Sequence, residues 1–183
     1  MKKNTIVQFV CFVTDLGLEE FTPKWERYAQ RLATHNAETT LQEQAGAKSK
    51  YRYISQHEWL EGDFHFTFMN QKKSEHFPEH NVKVIQAGGY SLLQTEQRID
   101  KINGDLIKLI VFTRPDENDI NFFVQLPGYS RLNIFQPFFE SCAFGYVMEF
   151  FITEDHADKL LQQLKLIKGI DAGMYKECLM FQE

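Results

Sequence analysis

Val82-Lys83-Val84-Ile85-Gln86-Ala87-Gly88-Gly89-Tyr90 and Ile167-Lys168-Gly169-Ile170-Asp171-Ala172-Gly173-Met174-Tyr175 are the two stretches that decide the architecture. They align without a gap, Lys, Ile, Ala, Gly and Tyr coincide, and each lies near the end of one half of a 183-residue chain. A match at corresponding places in two halves is the mark of an internal repeat. The openings of the halves agree in apolar pattern, Ile6 to Thr14 over Leu106 to Arg114, with Phe12 over Phe112. Within the Ala-Gly-x-Tyr segment the glycine marks a bulge or a close backbone approach, and the tyrosine packs. Neither copy is a phosphate loop, because no GxGxxG or GxxxxGK[ST] pattern is present.

Working outward, the first half reads as βαββαβ. Thr5 to Thr14 is rich in β-branched and aromatic residues and stops at Asp15-Leu16-Gly17, as a strand does. Leu18 to Thr34 spaces Phe21, Trp25, Tyr28, Ala29 and Leu32 by three and four, which predicts an amphipathic helix with Pro23 near its first turn. His35 to Lys48 is polar. Tyr51 to Leu60 and Asp63 to Met69 then read as a hairpin turning at Glu61-Gly62, followed by a short helix or turn at Ser74 to Asn81 and a strand from Val82 to Gln94. In the second half, strands are expected at Asp105 to Thr113, Arg131 to Phe139, Phe144 to Thr153 and Gly169 to Phe181. Helices are expected at Glu117 to Leu126 and Glu154 to Ile167. The expected fold is α+β: two ferredoxin-like halves, 1–98 and 105–183, joined by a linker at 99–104, their antiparallel sheets packed into one barrel-like unit.

Composition sets the outer limits. Hydrophobic residues make up 43% and charged residues 25%, which is globular rather than disordered. The formal charge of −5 disfavours DNA, RNA and anionic membrane surfaces as partners. Seventeen phenylalanines raise the aromatic share to 14%, enough rings to fill a large core or to line a pocket. Cys11, Cys142 and Cys178 are odd in number, far apart and without CxxC spacing, so they point to neither a disulfide framework nor a zinc site. Met1-Lys2-Lys3 and the apolar run Ile6 to Val13 imitate the start of a signal peptide. Gln8 interrupts that run, however, Asp15 ends it, and no small-residue cleavage site follows. A cytoplasmic protein is the expectation.

The strand near residue 5, the helix around Phe21-Thr22-Pro23-Lys24-Trp25-Glu26-Arg27-Tyr28 and the aromatic segment from Tyr51 to Met69 resemble the dimeric α/β-barrel superfamily. That group includes antibiotic-biosynthesis-type monooxygenases, stress-responsive barrel proteins, chlorite dismutases and dye-decolourising peroxidases. The resemblance implies two ferredoxin-like sheets face to face with helices outside, both supplied here by one chain. Such folds host enzymes and proteins without chemistry alike. The haem-binding members take an axial ligand from the C-terminal half, where this chain offers only His156, in the polar start of a helix. No cofactor is therefore expected.

The chemistry-bearing residues cluster in the first half, where His57, His65, His76 and His80 are four of the six histidines. One strand parity of the Tyr51–Met69 segment carries Ile54, Leu60, Phe64, Phe66 and Phe68 and should face the helices. The other carries Tyr51, Tyr53, Ser55, His57 and Trp59, continuing through Asp63, His65 and Thr67. Rings mixed with polar groups suit a ligand cavity, with His57 and His65 as candidate general bases and Tyr51, Tyr53, Trp59, Asp63 and Thr67 as ligand contacts. The same face could equally fill the barrel or meet a partner. A metal is not indicated, since no HxH or HExxH spacing occurs and Pro78 separates His76 from His80. Trp25 is expected in the core.

Two classes of function remain open. One is a cofactor-independent monooxygenase- or isomerase-like enzyme, or a binder, acting on a small, partly aromatic organic molecule. The other is a non-catalytic interaction domain with a filled barrel; a haem- or metal-dependent barrel protein is a further alternative. A fused barrel covers both of its sheets, so a monomer, or a homodimer whose interface lies outside the barrel, is expected.

Overall fold

A computed structural model describes residues 5–34, 37–46, 49–60, 63, 81–98, 104–114 and 120–181, except for the side chains of Gln86 and Ala87. The strands are β1 (Thr5–Val13), β2 (Glu38–Gln44), β3 (Tyr53–Leu60), β4 (Lys83–Gln97), β5 (Leu106–Phe112), β6 (Tyr129–Pro137), β7 (Val147–Thr153) and β8 (Asp171–Phe181). The helices are α1 (Leu18–Ala33), α2 (Ile120–Gln125) and α3 (Glu154–Leu164). The strands close into one barrel in the order β1-β3-β2-β8-β5-β7-β6-β4, and every neighbouring pair is antiparallel. Read around the ring, β4-β1-β3-β2 is followed by β8-β5-β7-β6, the same permutation four strands later. β2 pairs with β8 and β4 with β6, so hydrogen-bonded ladders join the two groups. With the ring closed, none of these eight strands leaves an edge unpaired.

The helices lie on the outside of this ring. Val10 and Phe12 on β1, Leu41 on β2 and Tyr53 on β3 face outward against Phe21, Trp25 and Ala29 of α1. Phe21 stacks on Tyr53 at 4.3 Å between ring centroids, and Phe12 meets Phe21 edge-on at 5.0 Å. Trp25 is buried, and its Nε1–H donates to Ser55 Oγ at 2.8 Å, so the indole brings no unpaired donor into the core. Each such ring contributes about 1.5–3 kcal/mol by leaving water, which is what holds α1 to the sheet. Pro23 falls in the second turn of α1 rather than the first. It is tolerated because it lies on the exposed side, where the carbonyl it cannot serve meets water. In the other half, Leu160, Leu161 and Leu164 of α3 cover Leu109, Val111, Met148 and Phe150.

Alternate residues point inward. Phe9, Cys11, Ile54, Tyr90, Ile110 and Val147 fill the barrel, and none has surface that a water molecule could touch (0% exposed). Tyr90 and Tyr175, the tyrosines of the two aligned segments, both belong to this filling. The Tyr90 hydroxyl donates to the Phe144 carbonyl at 3.2 Å and that of Tyr175 to the Tyr51 carbonyl at 3.1 Å. Gly88 has φ +104°, and a Cβ there would lie 2.7 Å from Cys142 Sγ, so glycine lets the β6–β7 connection press onto β4. Gly173 is needed for space alone, since a Cβ would meet Ser49 Oγ at 2.5 Å.

Two expectations are corrected here. Glu38 to Gln44, read as part of a polar connection, is strand β2 between β3 and β8. Its sequence ETTLQEQ lacks a clean alternation because the barrel interior it faces is itself polar at that level. In place of the expected hairpin partner, β1 and β2 occupy the two edges of β3. Residues 64–80, including the segment expected as a short helix or turn, lie outside the described residues.

Candidate functional site

The residues that can do chemistry gather in two places, on opposite faces of β3. The first is under α1. Register places Gln8 of β1 and Thr39 of β2 on either side of His57 of β3, all on the outward face. Helix periodicity brings Tyr28 over them, its ring edge-on to His57 at 5.4 Å, and Trp59 lies 5.7 Å from the same imidazole. His57 Nδ1 lies 3.1 Å from Thr39 Oγ1. Neither His57 Nε2 nor Gln8 Oε1 has a hydrogen-bond partner, although both are buried. Leaving such a group unsatisfied costs about 1–3 kcal/mol, so the pair holds unspent hydrogen-bonding capacity. Burial pushes the imidazole down from 6.5 to about 3, so His57 is neutral across the physiological range. Burial likewise raises the Tyr28 hydroxyl above its ordinary range, although the residue as a whole keeps some exposure. A neutral imidazole whose Nδ1–H donates to Thr39 offers an acceptor at Nε2; with the threonine as donor, it offers an N–H instead.

The second place is the barrel interior at the end where β3 finishes and β5 begins. Lys108 Nζ donates to Gln56 Oε1 at 3.0 Å and lies 3.7 Å from Glu149 Oε1 and 3.9 Å from Glu177 Oε2. Gln56 Nε2 donates to Glu149 Oε1, and Asn133 Nδ2 donates to Glu149 Oε2 at 3.3 Å. Gln42 Nε2 also donates to Gln56 Oε1. Glu149 is a buried carboxylate surrounded by donors, the arrangement that makes a buried charge tolerable. Among the described residues, no group of three or more His, Cys, Asp or Glu side chains is arranged to hold a metal ion.

The sequence-derived candidates divide between these surroundings. Tyr53, Ser55, His57 and Trp59 do share one face, but it is the face beneath α1, and the interior face of β3 carries Ile54, Gln56 and Glu58. This reverses the expected orientation. The reason is that α1 presents Phe21, Trp25 and Tyr28, which the rings of β3 match, while buried Ser55 and His57 find partners in Trp25 and Thr39. Trp59 packs on Ile6, Leu32 and Ala37. Tyr51 precedes the regular part of β3 and turns inward, edge-on to Phe112 at 5.6 Å, its hydroxyl donating to Asp171 Oδ2 at 3.2 Å. Asp63 is half-buried beyond the end of β3, and His65 and Thr67 lie outside the described residues. The role of general base expected for His57 is weakened by its burial, because a group titrating near 3 is a poor proton acceptor at neutral pH. Sequence reasoning missed Gln8, Thr39 and the Gln56–Lys108–Glu149 network. The available signal was a lone polar residue in each apolar strand: Gln8 in TIVQFVCFV and Glu149 in VMEFFIT.

No protein-family model and no curated protein matches the sequence. Solved structures do share its shape. An anthrone oxidase-like protein superposes with a TM-score of 0.55 at 8% identity, over 98% of this chain and 94% of that one. Two proteins named as candidate monooxygenases give TM-scores of 0.49 and 0.43. The one from Fusobacterium nucleatum subsp. nucleatum is 11% identical and covers 100% of this chain and 96% of its own. The one from Lactobacillus acidophilus NCFM is 12% identical and covers 97% and 96%. At such identities the likeness is one of fold alone: α+β, with antiparallel strands closed into a barrel and helices on its outside. No helix among the described residues is long and apolar enough to cross a membrane.

Proposed function

We propose that the protein binds a small, partly aromatic organic molecule beneath α1 and acts on it as a cofactor-independent, monooxygenase-like barrel. The observation that carries this reading is the buried pair Gln8 Oε1 and His57 Nε2, side by side in register and without partners. Stability alone disfavours such a pair, since apolar residues of the same size would pack there at no cost in lost hydrogen bonds. Ring walls from Tyr28 and Trp59 suit an aromatic body, and the neutral imidazole and amide suit a hydroxyl or N–H on it. In this reading His57 orients the ligand by hydrogen bonding. His65 and Thr67, with Asp63, are further contacts to be tested by substitution.

The two halves, 1–98 and 105–183, are read as copies of one ferredoxin-like unit fused through 99–104. The repeated strand permutation and the paired inward tyrosines support this. A closed ring needs no partner to cover an edge, so the chain is proposed as a cytoplasmic monomer, or a homodimer touching outside the barrel, with neither nucleic acid nor membrane as partner. Light scattering tests the assembly.

The function is tested by thermal shift against a panel of phenols, quinols and naphthols, with oxygen consumption measured for each compound that stabilises. The Gln8→Leu variant is expected to melt higher than the parent and to lose the ligand-induced shift. A panel without hits, or shifts unchanged in Gln8→Leu, overturns the reading. A specific observation favours the second reading, a non-catalytic interaction domain: the apolar part of the barrel is filled to the exclusion of water. That reading would prevail if no compound stabilises the protein.

A further inference from the structure

The polar end of the barrel is a second place with unspent binding capacity, independent of the buried Gln8–His57 pair under α1. Hydrogen bonds set the orientations of its amides. Lys108 Nζ and Gln42 Nε2 both donate to Gln56 Oε1, and Gln56 Nε2 donates to Glu149, so turning either amide would set oxygen against oxygen or nitrogen against nitrogen. The Gln42 carbonyl oxygen is thereby left buried without a donor, on a residue that is 0% exposed. Its register partner on β8 is Glu177, and Glu58 follows Gln56 on the interior face of β3, with Glu38 paired opposite it.

Among the described side chains at this end, the carboxylates of Glu38, Glu58, Glu149 and Glu177 outnumber the cations. The described cations here are already engaged, Lys108 as above and Arg131 over the Phe151 ring, 3.7 Å from its centroid. Burial, then Glu149 and Glu38, hold the Glu58 carboxyl above its ordinary range, with Lys108 and, more weakly, the N-terminal amine opposing them. Among the described residues, three large apolar side chains lie at the rim around this charged floor. Leu60 and Leu106 continue the interior faces of β3 and β5, and Met180 lies beside Thr40, the partner of Gln56. These three are 53%, 46% and 57% exposed, unusual for large apolar side chains on one rim.

We propose that this mouth is a binding site for a primary ammonium carried on a short apolar chain. The ammonium's three donors would meet Gln42 Oε1 and the carboxylates of Glu58 and Glu177, and its chain would lie on Leu60, Leu106 and Met180. An anion of the same size would find acceptors in place of free donors.

The test is a titration of the whole chain with n-hexylammonium, n-hexanoate and 1-hexanol, followed by calorimetry and by amide shifts in NMR. Saturable binding of hexylammonium alone is expected, with a Kd of about 1 mM or tighter, and shifts centred on Gln56, Lys108 and Glu149. Gln42→Leu and the isosteric Glu58→Gln should each weaken it about tenfold, the loss of one charge-assisted or neutral hydrogen bond. Glu58 is half-buried, so Glu58→Gln keeps the fold even if Gln42→Leu does not. The proposal is overturned by absence of saturation at about 10 mM, by equal binding of hexanol or hexanoate, or by unchanged affinity in Glu58→Gln. Shifts centred instead on α1 and His57 would also overturn it, while leaving the proposed function intact.

Discussion

Replacing His57 with glutamine should remove a component of the acid sensitivity of this fold, and its size follows from burial. The imidazole titrates near 6.5 when the chain is unfolded and at about 3 when folded, because desolvation disfavours its charged form. Between those values the unfolded chain binds the additional proton, so stability rises with pH and is lost as pH falls below 6.5. The slope approaches about 1.4 kcal/mol per pH unit, and from pH 7 to pH 5 the integrated loss is about 2 kcal/mol. For a chain of this length that corresponds to a fall of about 4–8 °C in melting temperature. The raised Glu58 carboxyl acts with the opposite sign, but it is present in both proteins and cancels in the comparison. Urea unfolding followed by tryptophan fluorescence at pH 7 and pH 5, for the parent and for His57→Gln, measures the difference directly. The parent should lose about 2 kcal/mol more than the variant. Equal pH dependence, or an NMR midpoint above pH 5 for the His57 ring in the folded protein, would refute the argument from burial.

Ser55→Ala should cost about 1–3 kcal/mol in urea unfolding, because it strands the buried Trp25 Nε1–H that Ser55 Oγ accepts at 2.8 Å. Gly88→Ala should destabilise by about 1–3 kcal/mol, and shortening the neighbour with Cys142→Ala should recover only part of that, since the backbone at φ +104° still disfavours a side chain. Lys108→Met should cost about 3 kcal/mol or more by leaving the buried Glu149 carboxylate without its cation, and adding Glu149→Gln should restore much of it in a double-mutant cycle. Cys11 is fully buried and its thiol pushed far above the ordinary range, so a thiol reagent at pH 8 should label it only on unfolding. Cys178, half-buried and pushed up to about 11, should react slowly in the folded protein.

The strand, helix and face assignments show where one-dimensional information suffices. α1 and α3 were legible because Phe21, Trp25, Ala29 and Leu32, or Leu160, Leu161 and Leu164, repeat with the period of the helix and meet a single environment on one side. β1, β4, β5 and β7 were legible because they are rich in apolar and β-branched residues, and β8 through its apolar and aromatic ones. β2 was not, since Thr39 and Leu41 face α1 while Thr40 and Gln42 face a polar part of the interior, and neither parity is purely apolar. The alternation of β3 identified which residues share a face, so Tyr53, His57 and Trp59 were grouped correctly from sequence. Which way that face points is another matter. A strand inside a barrel with an outer helix is buried on both sides, and both of its faces then carry large side chains. Only the closed ring, with β1 and β2 on the two edges of β3, turns His57 toward α1 and Gln56 toward Glu149. Gln8 beside His57, and Lys108 between Gln56 and Glu149, are contacts between strands far apart in the chain. Their geometry is set by register and closure, which no local pattern of residues encodes.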